Sequence, residues 1–252
     1  MKAKKQLGQN FLTSVPARIA IVEAGEVEKT DTILEIGPGR GFLTRALIET
    51  GANIIALEKD RDLIPILAEA FKEAKNFTLI QGDALTYNPE KAGYKLIANI
   101  PYYITGAILE RYLTHINQPS MMVVLVQKEV AERVCTKDGK ESILSLSIKA
   151  YGEPKIVYRV SKGSFNPIPK VDSAVLQIKN ISRSSFKNQY HESLFFKVVK
   201  AGFAHKRKVL LSNLKEAFDL TPAQIEIFAI PPKVRAEDLH LTDWLRIAEV
   251  LM

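Results

Sequence analysis

From position 32 onward, short apolar runs rich in β-branched residues alternate with longer stretches of helical periodicity. Such alternation is typical of βαβ units, in which a helix joins each strand to the next parallel strand. The predicted strands are apolar on both faces, as expected where helices cover both sides of a sheet. They are Thr32 to Ile36, Asn53 to Leu57, Phe77 to Ile80, Lys95 to Ala98 and Met121 to Val126. The pattern predicts an α/β fold with a doubly wound sheet.

Helices are predicted between and after these strands. They are Gly41 to Thr50, Arg61 to Ala74, Thr105 to Thr114, Lys128 to Val134 and Ser142 to Tyr151. Pro65 is expected to kink the second of them. Two further strands are predicted at Lys155 to Val160 and Ala174 to Ile178, and the prolines between them, Pro167 and Pro169, are expected to exclude regular structure.

The chain has 252 residues, which suits one ordinary domain followed by a small one. A polar, serine-bearing stretch at 180–189 resembles a linker, and the residues after it have helical periodicity interrupted by prolines. We therefore predict an α/β domain over residues 1–181 and a small all-helical domain over residues 182–252.

The charge balance indicates a polyanionic partner. With 35 Lys and Arg against 28 Asp and Glu, the formal net charge is +7, which favours nucleic acid over a membrane surface. A single cysteine, Cys135, excludes an internal disulfide, and the four histidines lie far apart, so we predict no metal. No signal peptide is found, and no uncharged apolar run approaches the ~20 residues that cross a bilayer. We expect a soluble, cytoplasmic protein.

Three glycines at alternate positions, Gly37, Gly39 and Gly41, directly follow the first predicted strand. Glycines let the backbone approach a ligand, and the free N–H groups of the following helix can bind it. A dinucleotide fingerprint needs its third glycine at position 42, where this chain has Phe42. The spacing therefore suits a nucleoside without a pyrophosphate, such as S-adenosylmethionine. The alternative is a tight turn that binds nothing.

Two acids end the next two strands. Glu58 is placed to accept hydrogen bonds from both hydroxyls of a ribose, and Asp83 to accept one from the adenine amino group. Taken singly, each acid is better explained as a surface or helix-capping carboxylate, and it is their combination with the glycines that favours a ligand site.

The fourth strand ends in Asn99-Ile100-Pro101-Tyr102. An exocyclic adenine amine is a poor nucleophile because its lone pair is delocalised into the ring. The Asn99 side-chain oxygen and a main-chain carbonyl of the rigid turn at Pro101 can each accept one N–H, which leaves the lone pair aimed at a methyl donor. An ordinary turn with a half-buried tyrosine is the alternative.

Aromatic side chains are expected to hold the base. Tyr102 is the candidate for one face, with Tyr103 as its competitor, and Phe165 is the candidate for the opposite face. No side-chain base is needed, because the methylated amine loses its proton to water.

Lys206, Arg207 and Lys208 place three cations at the start of a predicted helix. Cations oppose the helix dipole there, a cost that RNA phosphates would offset. The alternative is a solvated basic turn. Lys2, Lys4 and Lys5 are expected to add to the same field.

Six motifs, in this order, resemble the ribosomal RNA adenine N6,N6-dimethyltransferases. They are Leu-Gly-Gln-Asn-Phe-Leu (7–12), Glu-Ile-Gly-Pro-Gly-Arg-Gly (35–41), Gly-Asp-Ala-Leu (82–85), Asn-Ile-Pro-Tyr (99–102), Phe-Asn-Pro-Ile-Pro-Lys-Val-Asp-Ser (165–173) and Lys-Arg-Lys (206–208). More narrowly, the chain resembles the branch that dimethylates two adjacent adenines near the 3′ end of 16S rRNA in the 30S subunit or its precursor.

The resemblance implies a Rossmann-like S-adenosylmethionine-dependent methyltransferase domain with an antiparallel final strand, and a small helical domain that helps to grip RNA. It implies that the donor is bound by Asn10, Leu12, Gly37, Glu58, Asp83 and Asn99, and Gly39 is added from the glycine pattern. Lys206 stands where the family usually has arginine, and lysine lacks the bidentate fork of arginine. We expect a monomer.

Two other functions remain open. The sister branch methylates one adenine of 23S rRNA and confers antibiotic resistance, although the motifs at 7–12 and 169–173 and the segment 235–239 favour the small-subunit branch. A non-catalytic RNA-binding factor in ribosome assembly would keep the fold without the reaction, and the intact Asn-Ile-Pro-Tyr argues against it. A DNA adenine methyltransferase ranks third, because no separate target-recognition region is visible.

Overall fold

A computed structural model describes residue 4, residues 7–136 and residues 140–252. Lys2 and Lys5, two of the predicted basic residues, lie outside the described residues. The described strands are β1 (Phe11–Leu12), β2 (Thr32–Ile36), β3 (Asn53–Glu58), β4 (Phe77–Gln81), β5 (Lys95–Asn99), β6 (Met121–Gln127), β7 (Glu153–Val160), β8 (Phe165–Asn166) and β9 (Ser173–Lys179). The described α-helices are α1 (Val15–Ala24), α2 (Phe42–Glu49), α3 (Ile64–Ala70), α4 (Thr105–Thr114), α5 (Lys128–Val134), α6 (Ile143–Lys149), α7 (Gln189–Gly202), α8 (Leu210–Ala217), α9 (Pro222–Phe228) and α10 (Leu241–Val250).

Seven strands form one sheet in the order β4-β3-β2-β5-β6-β9-β7. Strands β2 to β6 are parallel, and β9 lies antiparallel between β6 and β7. The α/β prediction and the antiparallel final strand are therefore confirmed. The chain moves outward on one side from β2 to β4 and on the other side from β5 to β6, so the strand order reverses between β2 and β5. Open α/β sheets bind ligands beyond the carboxyl ends of the strands at such a point.

The sheet is stabilised by apolar side chains on both faces. In β6, the first six residues are all buried, as the uninterrupted apolar run predicts for a strand that is covered on both sides. One apolar cluster joins the sheet to α1 and α2, and its members include Ala17, Ile21, Ile33, Leu43, Leu47, Ile54, Ile97, Val123, Leu125, Phe165 and Val175. Burial of these side chains packs α1 and α2 against the sheet.

Two predictions about prolines are wrong. Pro65 does not kink a helix, because α3 begins at Ile64 and the proline lies in the first turn, where its missing N–H is not needed. Regular structure is also present before Pro167: β8 pairs with β1 in an antiparallel ladder. The two residues of β8 precede the proline, so they keep their backbone donors.

The chain divides into two compact units, residues 1–132 with 153–181 and residues 133–152 with 182–252. The predicted boundaries at 1–181 and 182–252 stay a prediction, and the structure differs from them by grouping 133–152 with the C-terminal helices. The Tyr151 ring packs against Phe186 with a centroid distance of 5.4 Å, and its hydroxyl contacts Glu192. These contacts over long sequence separation explain why periodicity alone did not assign the segment.

The second unit is built around a fully buried tryptophan. Trp244 on α10 stacks on Phe203 at 5.6 Å between ring centroids, and a side chain at Gly202 would collide with the indole. Asn213 on α8 donates a hydrogen bond of 2.6 Å to the Gly202 carbonyl oxygen, which ties α8 to the end of α7. In neither unit does any described helix have the length and apolar character that a membrane span requires.

Candidate active site

The carboxyl ends of β2, β3 and β5 and the turn after β4 surround a cavity of about 460 Å³ in the first unit. Residues 7–13 of the amino-terminal segment complete its wall. The cavity lies where the strand order reverses, as expected for a ligand site in an open α/β sheet. Every predicted donor-binding residue lines it: Asn10, Leu12, Gly37, Gly39, Glu58, Asp83 and Asn99.

The glycine loop brings bare backbone to the cavity. Gly37 and Gly39 have φ values of +67° and +60°, which side-chain-bearing residues rarely adopt. A Cβ at Gly37 would meet only the Asn99 carbonyl oxygen, at 3.7 Å, so the space before this residue is open. A Cβ at Gly39 would press on the Phe11 ring at 3.1 Å. The loop therefore leaves room for a ligand at Gly37.

Glu58 ends β3 with its carboxylate turned toward the glycine loop. One carboxylate oxygen accepts a hydrogen bond of 3.1 Å from the Gly39 N–H, and the other accepts one of 2.8 Å from the Asp60 N–H. Burial raises the pKa of Glu58, although these two hydrogen bonds oppose the rise. An acceptor fixed at this position has the chemistry to bind ribose hydroxyls.

Asp83 follows β4 and is held ionised. It accepts a hydrogen bond of 2.7 Å from the Lys59 ammonium and one of 2.9 Å from the Leu85 N–H. The Lys59 hydrogen bond lowers the pKa of Asp83, and the Leu85 N–H acts in the same direction. A charged acceptor at the cavity wall suits an adenine amino group.

Asn99 and Pro101 line the cavity at the end of β5. The Asn99 amide nitrogen donates a hydrogen bond of 3.4 Å to the Asn10 carbonyl oxygen, which leaves the Asn99 amide oxygen as an acceptor. Asn10 itself donates to the Gly8 carbonyl oxygen at 3.2 Å. The Leu12 side chain is buried in the apolar core, so only its main chain is available to a ligand.

The two tyrosines after Pro101 differ in exposure. The Tyr102 ring is partly buried, and its hydroxyl lies 2.7 Å from the hydroxyl of the fully buried Ser173. Burial raises the pKa of Tyr102, so the hydroxyl stays protonated at neutral pH. Tyr103 is 66% exposed and lies beside Gly8, where an added Cβ would be 3.0 Å from the ring. Both rings line the cavity.

The structure contradicts the prediction for Phe165. Its side chain is only 3% exposed and packs in the apolar core, because β8 pairs with β1 and places Phe165 opposite Leu12. The residue that lines the cavity from this segment is Asn166. Phe165 therefore anchors the segment and does not offer a stacking face.

The three predicted RNA-binding residues lie in the second unit. Lys206, Arg207 and Lys208 form an exposed turn between α7 and α8, and α8 begins only at Leu210. They therefore precede the helix and do not start it. The Lys208 ammonium pairs with Glu216 at 2.5 Å. Their role in RNA binding stays a prediction.

Two buried acids were not predicted: Glu35, in the wall of the cavity, and Asp60, which directly follows the lining residues Glu58 and Lys59 in the chain. Glu35 is 1% exposed, one of its oxygens has no hydrogen-bond partner among the described residues, and burial, with the nearby Glu58 charge, raises its pKa to about 8. The sequence did carry a signal for Glu35, since a charged residue inside an apolar strand is unusual. The buried Asp60 accepts hydrogen bonds from the Lys4 ammonium at 2.5 Å and the Gln9 amide at 2.8 Å. No local pattern indicates this second contact.

Comparisons with known proteins show the family of this chain. The model of the ribosomal RNA adenine dimethylase family matches residues 1–252. A protein of Dehalococcoides mccartyi named ribosomal RNA small subunit methyltransferase A is 41% identical, over 98% of this chain and 88% of its own. A protein of the same name from Fusobacterium nucleatum is 38% identical, over 99% of this chain and 97% of its own.

Two solved structures share the fold. The 23S rRNA methyltransferase ErmE has a TM-score of 0.80 at 24% identity, with 96% of this chain and 99% of the other covered. A dimethyladenosine transferase from Plasmodium falciparum has a TM-score of 0.81 at 24% identity, with 94% of this chain and 95% of the other covered. Among the residues that the structure describes, no His, Cys, Asp and Glu side chains form a group that could hold a metal ion. With the family model matched from end to end, this chain belongs to the ribosomal RNA adenine dimethylase family.

Proposed function

We propose that this protein transfers methyl groups from S-adenosylmethionine to N6 of two adjacent adenines near the 3′ end of 16S rRNA, in the 30S subunit or its precursor. The observation that carries the proposal is that the Asn99–Tyr102 turn and the glycine loop line one cavity in a chain of this family. The proposed substrate places the protein in the cytoplasm with the ribosomal particles. We further propose that it acts as a monomer.

The donor fits the residues that are present. Glu58 accepts from the ribose hydroxyls and Asp83 from the adenine amine, while Gly37 leaves space for the methionine portion beside the main chain of Asn10 and Leu12. The donor supplies a methyl group on a positively charged sulfur, which makes the methyl carbon electrophilic. The carboxylates of this cavity complement that positive charge.

The adenine is activated by oxygen acceptors. The Asn99 amide oxygen accepts one N–H of the exocyclic amine, and a main-chain carbonyl of the turn before Pro101 accepts the other. The nitrogen lone pair then points at the methyl carbon. As the N–C bond forms, the C–S bond breaks, S-adenosylhomocysteine leaves, and the cationic amine releases its proton to water. Tyr102 or Tyr103 stacks on the base.

The choice of 16S rRNA is supported by the identity of 38% to 41% with proteins named for the small subunit. The likeness to the 23S rRNA methyltransferase, at 24% identity, concerns the fold. The exposed turn of Lys206, Arg207 and Lys208 is proposed to contact RNA phosphates.

A methylation assay on separated particles tests the proposal. The protein is incubated with S-adenosylmethionine labelled in the methyl group and with unmethylated 30S or 50S particles, and modified positions are mapped by primer extension. We expect label at two adjacent adenines near the 3′ end of 16S rRNA. Label confined to 50S would support the 23S branch instead, and binding to 30S without any transfer would support an assembly factor.

A further inference from the structure

An exposed apolar tip stands beside the candidate active site. Residues 166–168 are exposed, whereas Phe165 before them and Pro169 after them are buried. Ile168 is 67% exposed, so its side chain is available to a partner molecule. Because the segment is anchored at both ends, it presents the Ile168 side chain at a fixed position.

The tip is held firmly. The Thr13 N–H donates to the Ser164 carbonyl oxygen at 2.8 Å, and β8 continues this pairing with β1. On the other side, Asp172 accepts a hydrogen bond of 2.9 Å from the Lys162 N–H. Proline on both sides restricts the backbone of Ile168, since a residue before proline is confined to extended conformations.

The position of the tip relates it to the reaction. Asn166 lines the cavity that contains Asn99. Ser173, at the start of β9, pairs with Gln127 at the carboxyl end of β6, so the segment returns to the sheet at the same edge. The tip is therefore at the edge where an adenine must enter.

Two basic residues that flank the tip in sequence are of the kind that bind nucleic acid. Lys162 and Lys170 are both exposed and flank the tip in sequence. A base taken out of its stack leaves a gap between its neighbours, and proteins that unstack bases insert apolar side chains between base steps. A rigid isoleucine between two lysines matches a partner with apolar base faces and an anionic backbone.

We propose that Ile168 is a wedge that enters the RNA base stack next to the target adenine and holds open the gap that the adenine leaves. Lys162 and Lys170 contact the flanking phosphates. This inference rests on the proposed function, because it needs an RNA adenine as the substrate. It assigns to Ile168 of the 165–173 motif a contact with the neighbours of the target adenine.

Steady-state methylation of unmethylated 30S particles tests the wedge. We expect Ile168→Ala to lower kcat about 10-fold at saturating 30S, because unstacking a base step is unfavourable and the wedge offsets part of that cost. Ile168→Leu keeps apolar bulk and is expected to stay within about 3-fold of the parent. The matched control is Ile116→Ala: Ile116 is 80% exposed but precedes β6, at the opposite edge of the sheet, and its kcat is expected to be unchanged.

Thermal unfolding and calorimetric titration with S-adenosylmethionine accompany the kinetics. Both are expected to be unchanged in Ile168→Ala, because the side chain is exposed and outside the donor site. A parental kcat in Ile168→Ala, or a higher KM alone, would overturn the wedge, since a simple docking contact acts on KM. If the parent labels only 50S, the small-subunit proposal fails while the same comparison on 50S still decides the wedge. A parent without any transfer overturns both.

Discussion

At the ends of β3 and β4, the first side of the candidate site, the acidic acceptors are fixed by hydrogen bonds within the protein, whereas the second side, the Asn99–Tyr103 turn with the nearby tip at 166–168, presents exposed apolar side chains. On the first side, the Glu58 and Asp83 carboxylates each accept two hydrogen bonds from protein donors. On the second side, Tyr103 and Ile168 are each about two-thirds exposed.

The difference indicates two kinds of ligand. A small donor enters a preformed site whose acceptors are already oriented, which is typical of cofactor pockets. A large substrate covers exposed apolar side chains that the protein alone does not bury. We therefore expect changes on the first side to alter donor affinity and changes on the second side to alter the rate of transfer.

The largest effect is expected for Asn99→Ala. Removal of the amide oxygen leaves one N–H of the amine without its acceptor, and we expect kcat to fall about 10²–10³-fold, the size seen when one polar group that stabilises a transition state is lost. RNA binding, measured by filter retention of 30S, is expected to be retained.

Asn53→Ala is the matched control for that variant. Asn53 is exposed and begins β3 at the opposite edge of the sheet, so its rate is expected to equal that of the parent. An Asn99→Ala protein that methylates at the parent rate would contradict the catalytic assignment.

Glu58→Ala tests the other side of the comparison. Loss of charge-assisted hydrogen bonds to the ribose is expected to raise the Kd for S-adenosylmethionine about 10–100-fold in calorimetric titrations. At saturating donor, the rate of transfer is expected to change much less. A variant with parental donor affinity and a reduced kcat would break the distinction between the two sides.

The third expected effect is a dependence of stability on pH that originates at Glu35. Burial raises the pKa of Glu35 from 4.5 to about 8, so the folded protein holds a proton that the unfolded chain has already released between these pH values. The stabilising contribution is complete below pH 4.5 and is lost as the pH rises through 8. As the pH rises from 6 to 7, this one group lowers the free energy of unfolding by about 1.4 kcal/mol.

Urea titrations at a series of pH values measure this effect. Glu35→Gln cannot ionise and keeps a similar shape, so its stability is expected to depend less on pH than that of the parent. Glu23→Gln, a variant of an acid at the end of α1, serves as the control. Equal slopes for the parent and Glu35→Gln would show that Glu35 does not take up this proton.

The smallest effect is expected for Tyr102→Phe. The substitution keeps the aromatic ring and removes the hydrogen bond of 2.7 Å to Ser173, which orients the ring. We expect kcat to fall about 3-fold, within the range for one neutral hydrogen bond. Ser173→Ala removes the same bond from the other side, so the double variant is expected to be no slower than either single variant. Additive losses would show that the two hydroxyls act independently.

Most of the sheet could be predicted because each strand is a continuous apolar run between helical stretches. The predicted bounds at Thr32 to Ile36 match β2, and Thr105 to Thr114 match α4. The prediction for Pro65 was wrong because a proline pattern does not distinguish the first turn of a helix from its interior. The residues at the strand ends were identifiable because parallel strands bring their carboxyl ends to one edge.

The sequence by itself determined the α/β fold, the glycine loop and the acids and the asparagine that end successive strands, because these depend on local periodicity and on spacing along the chain. The tertiary structure alone decided that Phe165 is buried in the core, that Ser173 orients Tyr102, and that Asp60 holds the amino-terminal segment. Each of these contacts joins residues that are far apart in the chain. Which side chains meet then depends on strand order, register and burial, and these quantities exist only once the chain has folded.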